Sequence, residues 1–350
     1  MSGHKYIGNI PYTKQMTADG LKALLLDVGV PDEQRWPGPH PVVVIIHGGT
    51  WIGRRMQEDL PWHFVDEYGF ALVRFDYRTA YEAPFPAQVA DCRSAVRFIR
   101  KHAAEYNIDP NRIGVRGCSA GGHLAAMLGV SNGAEGIDNP GDDLAVSPAV
   151  QAIIDNFGPT NILELWRLLD KFDRCIQVSY SERQRLREEL YRTPGVERHF
   201  IRVILDKINW VAWIPGIHAI TYIKWSNNLI DIARKLSGKD SKRVLKNEDA
   251  LRRASPIEYL TGALRKDGRM VPPFRVLHGE EDYMVPFSES KKFVEELRKI
   301  GADVEFDSDC GGGGHFPSAE HWWKVINPKE MAFFKRALCA NEQEEVDCKV

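Results

Sequence analysis

The sequence predicts an α/β protein: a mostly parallel sheet, doubly covered by helices and interrupted by a helical cap insertion. Three observations carry this reading. Over about residues 5–159, short β-branched runs alternate with helical patterns, as a parallel sheet buried on both faces requires. The same alternation returns after Ser255-Pro256. Between them, residues 160–255 are mostly helix-forming and carry 19 Lys and Arg against 12 Asp and Glu.

Residues 42–46 form an unbroken β-branched run and read as a buried strand, 57–68 as a helix, and 70–75 as the next strand. In 87–106, Val89, Cys92, Val96, Ile99 and Ala103 recur at helical spacing, which predicts an amphipathic crossover helix. Residues 113–115 end a strand, 121–128 continue as a helix, and 149–154 form a later strand. Past the insertion come a strand at 274–277, a helix at 287–300, a strand at 304–306 and a closing helix at about 328–338. The core is thus expected at 1–159 and 256–340, the insertion at 160–255 and a frayed acidic tail at 341–350.

The composition narrows the function. The chain has 350 residues, 43% hydrophobic and 27% charged, as in ordinary globular proteins, and its net charge of −2 argues against nucleic acid as a partner. The longest nearly apolar stretch, 208–223, is too short for a membrane span and is broken by Pro215-Gly216. Six cysteines without C-x-x-C spacing argue against zinc or a disulfide framework. With no apolar leader segment in view, a cytoplasmic location is expected.

Residues 117–121, Gly-Cys-Ser-Ala-Gly, lie between a strand ending and a helix, the context that a G-x-S-x-G nucleophile elbow needs. A serine hydroxyl is a weak nucleophile until a histidine takes its proton and a carboxylate holds that histidine in the useful tautomer. After Ser119 the candidate acid is Asp282, in His278-Gly279-Glu280-Glu281-Asp282 followed by Val285-Pro286, directly after a strand. The candidate base is His315, after a glycine run that follows the next strand. Glu280, Glu281, Asp307 and Asp309 compete as acids, but each reads better as a solvated loop carboxylate; His278, His123, His47 and His321 compete as bases, with His278 and His123 read as structural.

An oxyanion also needs donors. Ala120 N–H follows the nucleophile, and His47-Gly48-Gly49-Thr50-Trp51 follows the strand at 42–46, so Gly49 and Thr50 are the expected further donors, with Gly48 their alternative. Trp51, Asp155 and Asn156 are candidate pocket residues, the last two equally suited to forming a turn. In the insertion, Trp210 and Trp213 would line an apolar chamber if that segment folds over Ser119, or else form the core of a cap. No metal or organic cofactor is expected.

These segments resemble the esterase and lipase branch of the α/β-hydrolase superfamily, especially its BD-FAE-like and hormone-sensitive-lipase-like groups. Kynurenine formamidases share the His-Gly-Gly-x-Trp loop at 47–51. Asp76-Tyr77-Arg78, the stretch 85–91, the stretch 109–115, Ser255-Pro256 and Pro272-Pro273 add to the likeness. It implies an α/β-hydrolase fold and a serine hydrolase that cleaves a carboxylic ester, or a related acyl bond, of a hydrophobic small molecule through an acyl-enzyme. Thr50 stands where the lipase-like group commonly has a third glycine, and the insertion is longer than these families suggest, so substrate class is not inherited from them. Alternatives are a lyase, cyclase or acyl transferase on a biosynthetic intermediate, an arylformamidase-like amidase, and a non-catalytic ligand receptor. The insertion is expected to be a substrate-enclosing cap, with a homodimer contact as the other reading.

Overall fold

Uninterrupted apolar runs become the inner strands. In the computed structural model, which describes residues 3–53, 60–168, 188–189, 192, 248–261, 264, 271–312 and 314–339, the strands are β1 (Lys5–Thr17), β2 (Gly20–Val30), β3 (His40–Ile46), β4 (Ala71–Phe75), β5 (Ile108–Cys118), β6 (Ala152–Asn156), β7 (Phe274–Leu277) and β8 (Val304–Asp307). They form one 8-stranded sheet in the order β1-β2-β4-β3-β5-β6-β7-β8. β2 is antiparallel to both neighbours, and every other adjacent pair is parallel.

Strand alternation divides the core in two. Val42, Val44 and Ile46 of β3 pack with Val89 and Val96 of the helix Ala87–Lys101, Leu124 of the helix Ala120–Val130, and Phe293 and Leu297 of the helix Phe287–Lys299. Val43 points to the other face, where Phe64, Met331, Phe333 and Phe334 cover the sheet from the helices His63–Asp66 and Asn327–Leu338. Because the inner strands run parallel, the loops after β3, β5, β7 and β8 emerge at one rim, the place where open α/β sheets carry chemistry.

Several boundaries differ from the sequence expectation. The helix expected over 57–68 is seen as His63–Asp66, with 54–59 outside the described residues. The crossover helix stops at Lys101; a tight turn, Ala103–Tyr106, and the left-handed Asn107 (φ 52°) then redirect the chain into β5. The strand expected at 149–154 is shifted toward its carboxyl end and takes in Asp155 and Asn156. The β1–β2 hairpin was not read from the sequence. β1 is a polar edge strand with irregular register around Asn9 and Pro11, so it lacks an apolar alternation.

The two ends of the insertion meet. Ser255 Oγ accepts the Leu163 N–H (3.2 Å) and donates to Leu251 O (2.7 Å), Ile257 N–H donates to Thr160 O (3.1 Å), and Arg167 pairs with Glu248 (2.9 Å). Residues 162–168 are helical, and Leu163 and Trp166 join the main core. Trp210, Trp213 and the tail 341–350 lie outside the described residues. Among the described residues no helix is long and apolar enough to cross a membrane.

Candidate active site

Ser119 sits at the junction of β5 and the helix Ala120–Val130 with φ 56° and ψ −122°, a backbone region that residues with a Cβ avoid. Its N–H donates to Asn156 O (2.9 Å), and its carbonyl accepts the His123 N–H (3.0 Å), so the turn is clamped on both sides. The flanking glycines have a steric reason. A Cβ on Gly121 would lie 2.1 Å from Ile46 O, and one on Gly117 would lie 2.1 Å from Gly121 O. Both obstacles are backbone and cannot swing aside. Gly121→Ala is therefore expected to destabilise the fold by about 3 kcal/mol and to lower kcat/KM by about 100-fold through displacement of Ser119. Urea unfolding and ester turnover measure the two effects.

The structure brings the three candidate catalytic side chains together. Ser119 Oγ lies 3.0 Å from His315 Nε2, and His315 Nδ1 lies 2.6 Å from Asp282 Oδ2. Both His315 and Asp282 are buried, and Phe157 meets the His315 ring edge-to-face at 4.8 Å. Asp282 Oδ1 accepts the Met284 and Val285 N–H groups at 2.7 and 2.9 Å, and His278 Nε2 lies 3.2 Å from Oδ2. Burial alone would raise the Asp282 carboxyl; the bonds from His278 and His315 outweigh it and hold the group well below the usual carboxylate range. Asp282 thus stays ionised, facing the imidazole nitrogen opposite Ser119.

The loop after β3 packs directly on the elbow. A Cβ on Gly48 would meet Cys118 O at 2.9 Å, and Gly49, Thr50 and Trp51 follow with φ of 98°, 52° and 57°. Gly49 O accepts the N–H groups of Ile52 and Gly53, which closes the turn, while the Gly49, Thr50 and Ala120 N–H groups donate to no partner among the described residues. Trp51 is buried beside the serine, and its Nε1–H donates to His123 Nδ1 (3.0 Å). The opposite nitrogen of His123 donates to Ala254 O (2.7 Å). Burial pulls His123 down to about 4, so the ring is neutral and bridges the β3 loop, the elbow helix and the return of the insertion. Tyr77 Oη donates to His47 O (3.1 Å), and its ring stacks on His47 at 4.2 Å, which buttresses the loop from behind.

Beside Ser119 is a cleft of about 20 Å³, bounded by Thr50 and Trp51 with Pro159, Leu165, Met284 and Val285. Asp155 and Asn156 are absent from this lining, which corrects their reading as a pocket floor. Both are fully buried within β6. Asp155 Oδ1 accepts the Gly158 N–H (2.9 Å), and Asn156 Nδ2 donates to Glu330 (2.7 Å), which also holds Arg116 at 2.8 Å. Burial pushes the Asp155 carboxyl up to about 7. The sequence reading missed Leu165, which the start of the insertion contributes to the cleft, and the contact of His278 with Asp282. The spacing of four between these last two residues was the available signal.

A serine at a strained β-to-helix turn, with a carboxylate and a histidine on later strand ends of a mostly parallel sheet, is the arrangement of the α/β-hydrolase fold. The chain matches the BD-FAE family over residues 26–190 and the prolyl oligopeptidase family over 216–340. It is 24% identical over 279 residues to Esterase LipC of Mycobacterium tuberculosis, covering 79% of this chain and 53% of LipC. It is 26% identical over 270 residues to the probable isoprenylcysteine alpha-carbonyl methylesterase ICMEL1 of Arabidopsis thaliana, covering 77% of this chain and 44% of that protein. The chain thus spans about half the length of these relatives. A truncated carbohydrate esterase from gut microbiota shares the fold, with a TM-score of 0.62, 23% identity, and 97% and 98% of the two chains covered. The chain thus has the α/β-hydrolase fold and is similar to esterases over most of its length.

Proposed function

We propose that this protein is a serine carboxylesterase that cleaves its substrate through an acyl-enzyme on Ser119. One observation carries the reading: the unbroken chain of contacts from Ser119 Oγ through His315 to Asp282, at 3.0 and 2.6 Å. Ser119 Oγ attacks the ester carbonyl as His315 Nε2 takes its proton, and Asp282 stabilises the imidazolium that results. The carbonyl oxygen, now negative, is received by the N–H groups of Gly49, Thr50 and Ala120, which are held by strained backbone rather than by mobile side chains. His315 then returns the proton to the departing alkoxide, leaving the acyl group on Ser119. Water, activated by the same imidazole, releases the acid.

The narrow apolar cleft beside Ser119, walled by Trp51, Pro159, Leu165, Met284 and Val285, favours a short acyl group. Leu165 in its wall supports a role for the insertion in enclosing the substrate. Cys92 and Cys310, buried thiols outside any disulfide, suit a reducing cytoplasmic setting.

The test is labelling by a fluorophosphonate probe together with turnover of p-nitrophenyl esters from acetate to octanoate, in the wild type and Ser119→Ala. Labelling and turnover should both vanish in the variant, with acetate and propionate the best substrates. Labelling of Ser119 without turnover of any ester would replace hydrolysis by a non-hydrolytic acyl transfer. Turnover that survives in Ser119→Ala would remove the serine from the mechanism.

A further inference from the structure

Asp282 is served by two imidazoles, and the mechanism above uses one. His278, immediately after β7, is fully buried, with Nε2 3.2 Å from the same Oδ2 that meets His315. That nitrogen also lies 3.1 Å from Val285 O. A carboxylate and a carbonyl only accept, so Nε2 carries a proton. Nδ1 lies 2.7 Å from Ser290 Oγ, a hydroxyl able to donate or accept, so the ring keeps both contacts whether neutral or doubly protonated.

The surroundings choose between these states. The groups coupled to the ring are the carboxylates of Asp282, Asp155 in β6 and Glu289 in the helix Phe287–Lys299. Asp155 Oδ2 and Glu289 Oε1 are buried and have no hydrogen-bond partner among the described residues. Glu289 uses its other oxygen to accept the Thr160 and Asn161 N–H groups. On β8 the Asp307 backbone accepts the His278 N–H, while its carboxylate is engaged by Arg275 and Lys329. Cys310, nearby, is neutral, its thiol pushed up to about 12 by burial. Lys292 acts on Glu289, and His315 shares Asp282. Burial pushes the Asp155 and Glu289 carboxyls up to about 7, so Asp282 is the acid beside this ring that is fully ionised at neutral pH.

We propose that His278 is a positioning residue for the catalytic acid, a buried imidazolium that pins Asp282 Oδ2 toward His315 and balances its charge. The inference rests on the triad reading of Ser119, His315 and Asp282. Burial acts to lower His278, but the Asp282 carboxylate against its Nε2 prevails and holds it above the ordinary histidine value. With that positive charge removed, the Asp282–His315 pair keeps its proton to higher pH, and the acid limb of kcat/KM moves upward.

The decisive variant is His278→Gln, whose amide N–H can reach Asp282 but cannot carry charge. Its kcat should fall about 10-fold with KM within about twofold of wild type, in line with other residues that orient a catalytic group. The acid limb of its kcat/KM profile should move up by about one pH unit. His278→Ala, without the N–H, should fall further. Ser290→Ala, which keeps the ring and loses only the Nδ1 partner, should shift the limb in the same direction by less and guards against misfolding of the first variant. In protein selectively labelled with 15N-histidine, both His278 ring nitrogens should read as protonated at pH 7. A neutral ring, or a His278→Gln profile that overlays wild type, overturns the inference. Loss of Ser119 dependence in the wild type would instead sink the triad reading beneath it.

Discussion

Replacing His315 with alanine is expected to lower kcat/KM for a short-chain p-nitrophenyl ester by about 10⁴-fold or more, while the protein stays folded. The activity loss follows from Ser119 Oγ having His315 Nε2 as its one side-chain partner among the described residues, at 3.0 Å. His278 cannot take over, because its Nε2–H is held between Asp282 and Val285 O. Folding survives because Asp282 retains the Met284 and Val285 N–H groups and His278 after the change, so the buried carboxylate is not stranded. The double variant Ser119→Ala/His315→Ala should be no slower than either single variant, since the two side chains act in one proton transfer. Stopped assays with the purified variants and circular-dichroism melting test both halves. A fall of less than about 10-fold would show that another base serves Ser119.

The geometry explains why some of this was legible in the sequence and some was not. Ser119, Asp282 and His315 each follow a strand, and a parallel sheet delivers all such residues to one rim, so chain order stood in for position. The glycines at 117 and 121 carry their meaning locally, because the elbow has no space for a Cβ. Asp155 and Asn156 were legible only as polar residues near a strand ending. They point to opposite faces of the sheet: Asp155 toward Gly122 in the elbow helix, Asn156 toward Glu330 of the closing helix, and those two partners lie far away in sequence. Leu165 escaped for a similar reason. It belongs to a helix whose place over the serine depends on Ser255 stitching the insertion shut. The β1–β2 hairpin escaped because an edge strand with Lys5, Lys14, Gln15 and a proline carries little hydrophobic periodicity.

Asp91→Ala should destabilise the fold by about 3–5 kcal/mol, the usual cost of stranding one member of a buried ion pair. Asp91 is fully buried and accepts the Arg78 N–H (2.8 Å), Nε–H (2.9 Å) and Nη2–H (2.8 Å) as well as Asn139 Nδ2–H (2.8 Å). Without it, the Arg78 guanidinium stays out of water with the carbonyls of Met16 and Ala87 and the Asn139 amide as its neutral partners. The pair explains two segments singled out in the sequence, for the stretch 85–91 ends on the acid and Asp76-Tyr77-Arg78 ends on its base. The damage should reach the active site through Tyr77, which adjoins Arg78 and holds His47 by a stacked ring and a hydrogen bond to its carbonyl. The folded fraction of Asp91→Ala is therefore expected to lose kcat as well as stability, because the proposed oxyanion donors Gly49 and Thr50 lie in the loop that opens on that histidine. Urea unfolding gives the stability and active-site titration the working fraction. The charge-free pair Arg78→Met/Asp91→Leu should recover most of the stability, since buried ion pairs are often replaceable by apolar residues of similar volume. If Asp91→Ala unfolds within about 1 kcal/mol of wild type, the network is not what fixes the loop that holds His47.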